Sequence, residues 1–361
     1  MKKLIYILIA GIVWSFSSCK DMDSIYQEYI VPNGLTYPGK ALNPVVYAGN
    51  NRVKISWLRG SDPNVVKARI YWNNYTDSVD VDVPAGEDTI SCIIGNLPEN
   101  TYSFFIRTYD VKGNVSIPAE ARGTSYGEKY QAGILNRAIN NAIITGTTVK
   151  IEWGTIDTLS AYTTEVRYTN AAGEIKTLRA MSNHDVSIIS DIQKGTTFLY
   201  RTLYVPNRLA IDTFYTGFLE NKEYLLNKNG WRVAGFSTQH SGAANLASNV
   251  IDGNPATRWH THATASTFPH FVTVDMGAEW TMTAFEIYRT TNDDRAFDTF
   301  QLFASMDNLN WVDLGVFNFN RFINDGQYYA VPPTSGRYFK FVGLTGPNKF
   351  MVTGEINAYG L

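Results

Sequence analysis

Apolar and polar residues alternate along most of the chain, in short runs that turn-forming residues separate. In residues 53–57, VKISW, every second position is apolar, and side chains two apart lie on one face of a strand. Long runs with helical spacing are scarce, whereas threonine, valine and aromatic residues, which favour strands, are common. The pattern therefore predicts an all-β protein.

The alternating pattern repeats itself. VKISW at residues 53–57 recurs as VKIEW at residues 149–153, and YSF at residues 102–104 recurs as FLY at residues 198–200, with an offset of 96 residues (153 − 57) in each case. A period near a hundred is typical of β-sandwich domains in tandem. The repeats therefore predict two consecutive sandwiches.

A chain of 361 residues has room for about three domains. We predict one sandwich over residues 37–126, a second over residues 127–220 and a third domain over residues 230–361. Residues 221–230 form a polar joint between the last two.

The two repeats resemble fibronectin type III domains, in which one strand carries an inward Trp and a later strand carries an inward Tyr. In the first repeat these residues are Trp57 and Tyr102. The region from Tyr37 to Phe218 also resembles DUF4998, an uncharacterised Bacteroidetes domain family, through segments such as LPENTY at residues 97–102. That resemblance implies an architecture and no activity.

Residues 1–19 stand apart from these domains. Two lysines and an apolar run over residues 4–14 lead through two serines to Cys19. This order predicts a secretory signal, and the run is too short to span a bilayer as a stable helix. Ending on Cys resembles a bacterial lipoprotein signal, which implies acylation of Cys19 and leaves residues 20–36 as a linker. A plain signal peptide with an incidental Cys is the alternative.

The residues after Cys19 predict where in the cell the protein is located. KDMD at residues 20–23 resembles the surface-export signal of Bacteroidetes lipoproteins, which implies an outer-membrane lipoprotein exposed at the cell surface. The net charge of −2 and the absence of a basic run give no reason to expect nucleic acid as a partner. The other cysteine, Cys92, lies in an apolar strand pattern, so we expect it to be a small buried hydrophobe.

The most distinctive segment of the chain is NVIDGNPATRW at residues 249–259. Its Asp-Gly-Asn-Pro sequence favours a turn, because glycine takes positive φ freely and proline presets its own φ. Asp252 can offer a carboxylate, Asn254 a carbonyl and Thr257 a hydroxyl. Calcium prefers six to eight such oxygens, although an ordinary surface turn is the alternative.

Further segments follow this turn in order. They are VTVDMG at 272–277, FEIYR at 285–289, FQLFASMDNLNW at 300–311, RYFKFV at 337–342 and GEINAYG at 354–360. Together, from about Trp231 to Leu361, they resemble the discoidin family (F5/8 type C domains), whose bacterial branch includes the family 32 carbohydrate-binding modules. The resemblance implies a jelly-roll β-sandwich with loops gathered at one end, so that the whole chain would be two fibronectin-like sandwiches and a discoidin domain.

The same resemblance implies a structural calcium ion. Its ligands would be Ser248, Asp252, Asn254, Thr257, Glu355 and Ile356, with backbone oxygens from the first and last of these. Hard oxygen ligands suit calcium better than zinc. A turn closed by hydrogen bonds without a metal is the alternative.

The resemblance also implies a sugar site. Its residues would be His260, His262, Arg289, Asn292, Asp294 and Phe350, with Asp293, Arg295 and Asn348 as further candidates. An aromatic ring can stack on the apolar face of a sugar, while basic, amide and acidic side chains exchange hydrogen bonds with its hydroxyls. Whether Asn292, Asp293 or Asp294 fills the amide position stays open. A surface ion pair between Arg289 and Asp293 is the alternative to a sugar role.

Two large aromatics, Trp259 and Trp311, occupy core positions of the discoidin pattern, so we expect both to be buried. Catalytic patterns are missing from the sequence: adjacent Asp293 and Asp294 would point apart in a strand, and neither a nucleophile elbow nor a phosphate loop is present.

These features predict a non-catalytic, lipid-anchored surface protein that binds a glycan, with a galactose-like sugar as the candidate. It would assist polysaccharide capture, with other polysaccharide-uptake components as partners. The alternative is a protein- or lipid-binding adhesion or scaffold module. Exposed apolar loop tips at Phe268 and Phe297 would favour that alternative.

Overall fold

The computed structural model describes Tyr29, Val31 and residues 34–361, so that Cys19 and the predicted signal lie outside the described residues. Strands account for 52% of the chain and helices for 5%, which confirms the predicted all-β class. The chain divides into two compact units, Met1–Gly127 and Glu128–Leu361. Among the residues that the structure describes, none of the helices has the length and apolar character needed to cross a membrane.

The first unit is a sandwich of two antiparallel sheets. Its strands are β1 (Leu42–Ala48), β2 (Arg52–Leu58), β3 (Val65–Trp72), β4 (Asp77–Asp82), β5 (Thr89–Gly95), β6 (Asn100–Asp110) and β7 (Ala119–Ser125). One sheet has the order β1–β2–β5 and the other the order β4–β3–β6–β7. Val53, Ile55 and Trp57 of β2 are at most 2% exposed and pack in one core with Phe104 of β6. The alternation in the sequence thus identified the inward face of these strands.

Cys92 lies in β5 at the edge of this core. Its side chain is half-buried rather than buried, and burial raises the pKa of its thiol. The expectation of a buried small hydrophobe is therefore met only in part.

The second unit begins with a short helix and a second pair of sheets. The elements are α1 (Glu128–Gly133), β8 (Ile139–Thr145), β9 (Thr148–Trp153), β10 (Ala161–Thr169), β11 (Ile175–Met181), β12 (Val186–Ile189), β13 (Phe198–Tyr204), β14 (Phe214–Tyr215) and β15 (Leu219–Asn221). One sheet has the order β11–β10–β13–β14, with β15 also on β13, and the other contains β12–β9–β8. Trp153 and Phe198, which repeat the positions of Trp57 and Tyr102, are 3% and 1% exposed.

The segment that the sequence suggests as a polar joint contains a strand. This strand, β16 (Tyr224–Leu226), pairs in parallel with β8 and antiparallel with the last strand of the chain, β24 (Ile356–Gly360). Tyr224 and Leu226 are at most 1% exposed, and the Tyr224 hydroxyl donates to the Thr196 carbonyl at 3.1 Å. The second sandwich and the last domain therefore share one continuous sheet.

The last domain is built on two long strands. Besides β16 and β24, its elements are β17 (Arg232–Phe236), 3₁₀ helices at Ala243–Asn245 and Ala247–Ile251, β18 (Trp259–His260), β19 (His270–Ile287), β20 (Thr299–Ser305), β21 (Val312–Asn318), β22 (Gln327–Thr345) and β23 (Val352–Thr353). The two long strands are β19 and β22. The shared sheet continues in the order β16–β24–β19–β22–β20–β21, β17 also pairs with β19, and β18 pairs with β23. Trp259, Phe285 and Phe339 are 0% exposed in the core, which confirms the prediction for Trp259.

Three other aromatic side chains bear on the sequence predictions. Trp311 is half-buried outside the core, with the Lys340 Nζ 4.0 Å from its ring centroid, so the core prediction for it is wrong. Phe297 is 0% exposed, and its ring centroid lies 4.4 Å from that of Phe319. Phe268 is half-buried against the core. Exposed apolar tips at Phe268 and Phe297, which would have favoured the adhesion alternative, are therefore not formed.

Candidate functional site

Loops from distant parts of the last domain meet at one end of the sandwich. The backbone N–H of His240, after β17, donates to the carbonyl of His260 at 2.8 Å. The N–H of Thr261, after β18, donates to the carbonyl of Met351, in the loop after β22, at 3.0 Å. These bonds hold side chains from three loops close together.

Four aromatic rings from these loops form a cluster: His240, His260, His262 and Phe350. The Phe350 ring stacks on His260 with centroids 4.8 Å apart and planes 17° apart. The His240 ring lies 5.4 Å from His260 and 5.6 Å from His262. This ring cluster unites three residues of the predicted sugar site, His260, His262 and Phe350, and it adds His240, which the sequence analysis missed.

Hydrogen bonds assign different tautomers to two of the histidines. His260 Nδ1 lies 2.6 Å from the Thr261 carbonyl, which can only accept, so Nδ1 carries the proton and Nε2 of the neutral ring is an acceptor. His262 Nδ1 instead accepts from the Ala265 N–H at 3.1 Å, so its proton sits on Nε2. Burial lowers the pKa of His260, which keeps that ring neutral at pH 7. The ring cluster thus contains an acceptor and a donor, the two functions that bind a hydroxyl.

A charged pair accompanies the ring cluster. Arg295 donates from Nε to Asp293 Oδ1 at 2.8 Å and from Nη2 to Oδ2 at 2.5 Å. These hydrogen bonds lower the pKa of Asp293, and the Arg295 charge contributes to the lowered pKa of His260. The Arg295 side chain is 42% exposed and that of Asp293 is 13% exposed, so the guanidinium faces solvent. The partner of Asp293 is Arg295, and not Arg289 as the ion-pair alternative supposed.

Arg289 and Asn292 belong to a second set of contacts. Arg289 is 8% exposed, and it donates from Nε to Asn324 Oδ1 at 2.7 Å and from Nη1 to the Arg321 carbonyl at 2.9 Å. The Asn292 N–H donates to the same Asn324 oxygen at 2.9 Å. Asp294 is exposed, with a carboxylate oxygen 3.7 Å from Arg321 Nη1. Arg289 thus supports the loop between β21 and β22, and the arginine that faces solvent near the rings is Arg295.

The Asp-Gly-Asn turn closes on the C-terminal glutamate, as the discoidin pattern suggests. Glu355 Oε2 accepts from the N–H groups of Gly253 and Asn254 at 2.8 and 2.9 Å. Its other oxygen, Oε1, is bound by the ammonium of Lys228. Burial raises the pKa of Glu355 to about 7 and lowers the pKa of Lys228, and each charge offsets part of the shift of the other.

The predicted calcium ligands accept hydrogen bonds from the protein, and the nearby Asp252 carboxylate contributes to the raised pKa of Glu355. Asp252 Oδ1 accepts from the Asn254 N–H at 2.9 Å, and Oδ2 accepts from the Thr257 hydroxyl at 2.8 Å. Ser248 is exposed, and Ile356 begins β24. With Lys228 on Glu355 Oε1 and protein donors on the other carboxylate oxygens, the two acids do not offer free oxygens to an ion that needs six to eight of them. Calcium binding at this turn remains a prediction of the sequence.

Family comparisons agree with this architecture. The family model DUF4998, a domain of unknown function, matches residues 19–214, which is more than half of the chain. The chain belongs to the DUF4998 family. The F5/8 type C domain model matches residues 234–356, so the last domain of this DUF4998 protein is a discoidin domain, as predicted. That match supports carbohydrate binding by the domain.

Individual relatives of the DUF4998 protein match it over a limited part. A sialidase from Micromonospora viridifaciens is 31% identical over 123 residues, which is 32% of this chain and 18% of the sialidase. The C-terminal domain of a chitobiase from Bacteroides fragilis is 25% identical, with a TM-score of 0.36, and covers 38% of this chain and 97% of that one. The family 32 CBM of Clostridium perfringens NanJ, solved in complex with galactose, is 19% identical, with a TM-score of 0.35, and covers 38% of this chain and 98% of that one. The chain thus spans less than a fifth of the sialidase.

Several residues at this end of the discoidin domain carried no signal in the sequence. His240 lies in a loop without a recognisable motif, and Asn324 lies in the loop between β21 and β22. Phe322 of the same loop is 64% exposed, and the Arg321 guanidinium lies 4.3 Å from its ring centroid.

Proposed function

We propose that the discoidin domain binds an exposed sugar unit of a glycan through the ring cluster and Arg295, with a galactose-like sugar as the candidate. The observation that carries the proposal is the stack of Phe350 on His260 within reach of two further histidines. A half-buried ring of this kind offers an apolar face to the C–H face of a pyranose. The assigned acceptor on His260, the donor on His262 and the guanidinium of Arg295 supply hydrogen-bond partners for hydroxyls.

In this proposal Arg289, Asn292 and Asp294 act differently from what the family pattern implies. Arg289 and Asn292 hold the β21–β22 loop through Asn324, and Asp294 lies beside Arg321. Asp293 orients Arg295 by its bidentate contact, and it thereby fixes the direction in which the guanidinium faces.

Removing the stacking ring should weaken sugar binding without unfolding the domain. We expect Phe350→Ala to raise the Kd for a bound sugar about tenfold, which corresponds to ~1.4 kcal/mol, because the variant loses the apolar face. Titration calorimetry with the best-binding sugar measures this change. Phe322→Ala is the matched control, since its ring lies in another loop, and equal Kd values for Phe350→Ala and wild type would contradict the proposed site.

The wider role that we propose is capture of polysaccharide at the outer-membrane surface by a non-catalytic lipoprotein. Its support is the lipoprotein-like sequence ending on Cys19 and the support that the discoidin match gives to carbohydrate binding. Binding to one sugar would be weak, and several copies on one membrane would raise the affinity for a polymer through avidity. Release of sugars from polysaccharides by the purified protein would contradict the non-catalytic part.

Anchoring depends on one cysteine in this proposal. Cys19→Ala should abolish incorporation of a labelled fatty acid and move the protein from the membrane fraction to the soluble fraction, because the acyl chains supply the attachment. Fractionation of cells that express each form measures the shift. Retention of Cys19→Ala in the membrane fraction, at the wild-type level, would contradict the anchor.

One observation favours the second candidate, a protein- or lipid-binding adhesion module. Phe322 is 64% exposed and Ile323 is 41% exposed, and they form an apolar loop tip although Phe268 and Phe297 do not. A partner that binds wild type but not Phe322→Ala, and that sugars do not displace, would establish this role.

A further inference from the structure

The discoidin domain holds a buried ion pair between residues 127 positions apart in the chain. Lys228 lies in the short connection between β16 and β17, and its ammonium binds Glu355 Oε1. The side chains are 16% and 2% exposed, so neither charge is well solvated. A buried carboxylate of this kind requires a compensating cation and hydrogen-bond donors.

Both oxygens of Glu355 are satisfied by this arrangement. Oε1 receives the Lys228 ammonium, while Oε2 accepts from the N–H groups of Gly253 and Asn254 in the Asp-Gly-Asn turn. The lysine and the turn thus bind opposite sides of one carboxylate. The turn leads within a few residues into β18, which ends at His260 of the ring cluster.

The connection between β16 and β17, which carries Lys228, contains a hydrogen-bonded turn. The Trp231 N–H donates to the Lys228 carbonyl at 2.9 Å, which closes a tight turn, and Gly230 within that turn has a φ of 86°. The lysine Nζ lies 5.9 Å from the Trp231 ring centroid, and that ring packs 5.7 Å from Phe339 of the core. The lysine is therefore directed toward Glu355 from a fixed base.

We propose that Lys228 is the built-in cation of this discoidin domain: its ammonium binds Glu355 and so holds the Asp252–Thr257 turn without a metal ion. The resemblance to the family assigns that task to calcium, and an ion on Glu355 Oε1 would have to displace the ammonium. Because Lys228 lies two residues after the end of β16, the same residue couples the shared sheet to the loops that carry the ring cluster. The inference is independent of whether the ring cluster binds a sugar.

Thermal unfolding of the full chain tests the proposal. Wild type should melt at the same temperature, within about 1 °C, in EDTA and in millimolar calcium chloride. Lys228→Met should lower the Tm on the order of 10 °C, because it leaves the Glu355 carboxylate buried without its cation. The control Lys222→Met, at an exposed lysine between β15 and β16, should change the Tm by no more than about 2 °C.

A double variant separates the loss of charge pairing from the loss of lysine packing. Lys228→Met combined with Glu355→Gln should recover at least half of the fall in Tm, because no buried charge remains unpaired. A wild-type Tm that falls in EDTA and returns with calcium would overturn the proposal. A Lys228→Met variant that melts within about 2 °C of wild type would also overturn it. If the variant does not fold, the comparison of wild type in EDTA and in calcium still tests the proposal.

Discussion

Leu226→Ala should lower the free energy of unfolding of the second unit by about 3 kcal/mol, within the range for a buried leucine. Leu226 is 1% exposed, and its strand, β16, pairs with β8 of the second sandwich and β24 of the discoidin domain. The truncation would leave a cavity where these two domains share a sheet. Denaturant titration followed by tryptophan fluorescence measures the change.

Leu219→Ala is the matched control for this substitution. Leu219 of β15 is 51% exposed, so the same truncation should cost less than about 0.5 kcal/mol. Because the sheet is continuous, we also expect residues 128–361 to unfold in one transition. Two separate transitions in that unit, or equal effects of the two leucine variants, would contradict the role assigned to β16.

Asp275→Asn should cost about 2–3 kcal/mol at pH 7, because it removes the charge that two arginines share. Asp275 is 1% exposed. Arg337 binds it from Nε at 2.8 Å and from Nη2 at 2.9 Å, Arg232 Nη2 lies at 2.8 Å, and the Gly277 N–H donates at 2.8 Å. The carboxylate therefore joins β17, β19 and β22 at one point.

The same residue predicts how stability depends on pH. Hydrogen bonds from Arg337 hold the pKa of Asp275 at about 2, below the ordinary value of 3.8. A carboxyl whose pKa is depressed on folding stabilises the protein above its unfolded pKa, and this contribution disappears as the pH falls through the folded pKa. Wild type should therefore lose about 2 kcal/mol between about pH 5 and pH 2 that Asp275→Asn lacks.

Stability measured at intervals across that pH range checks this difference. Asp325→Asn, at an exposed aspartate in the β21–β22 loop, should follow the wild-type curve. Parallel curves for wild type and Asp275→Asn would show that the carboxylate does not carry the effect.

The regular strands could be predicted from the sequence because their pattern is local. Alternation in VKISW identified the inward face of β2, and the recurrence at Trp153 identified its counterpart in β9. The discoidin pattern also anticipated that Glu355 lies at the Asp-Gly-Asn turn, a contact between residues about a hundred positions apart. The order and spacing of the motifs predicted this long-range contact, which the alternation of apolar residues cannot predict.

The features that could not be predicted depend on contacts between distant residues. β16 has three residues, which are too few to show an alternating pattern in the sequence. It is a strand because it pairs with β8 and β24. In the loop after β19 no alternation tells which arginine faces solvent, so Arg289 was favoured although the exposed one is Arg295. Lys228 carries no motif, and its role follows from a partner 127 residues away.

A glycan array incubated with the wild-type chain in calcium-containing buffer tests sugar binding by the discoidin domain most directly. We predict binding to glycans that expose a galactose-like unit, and loss of that signal for Phe350→Ala but not for Phe322→Ala. A folded wild-type protein that binds no glycan on the array, or an unchanged signal for Phe350→Ala, would contradict the function proposed for the ring cluster.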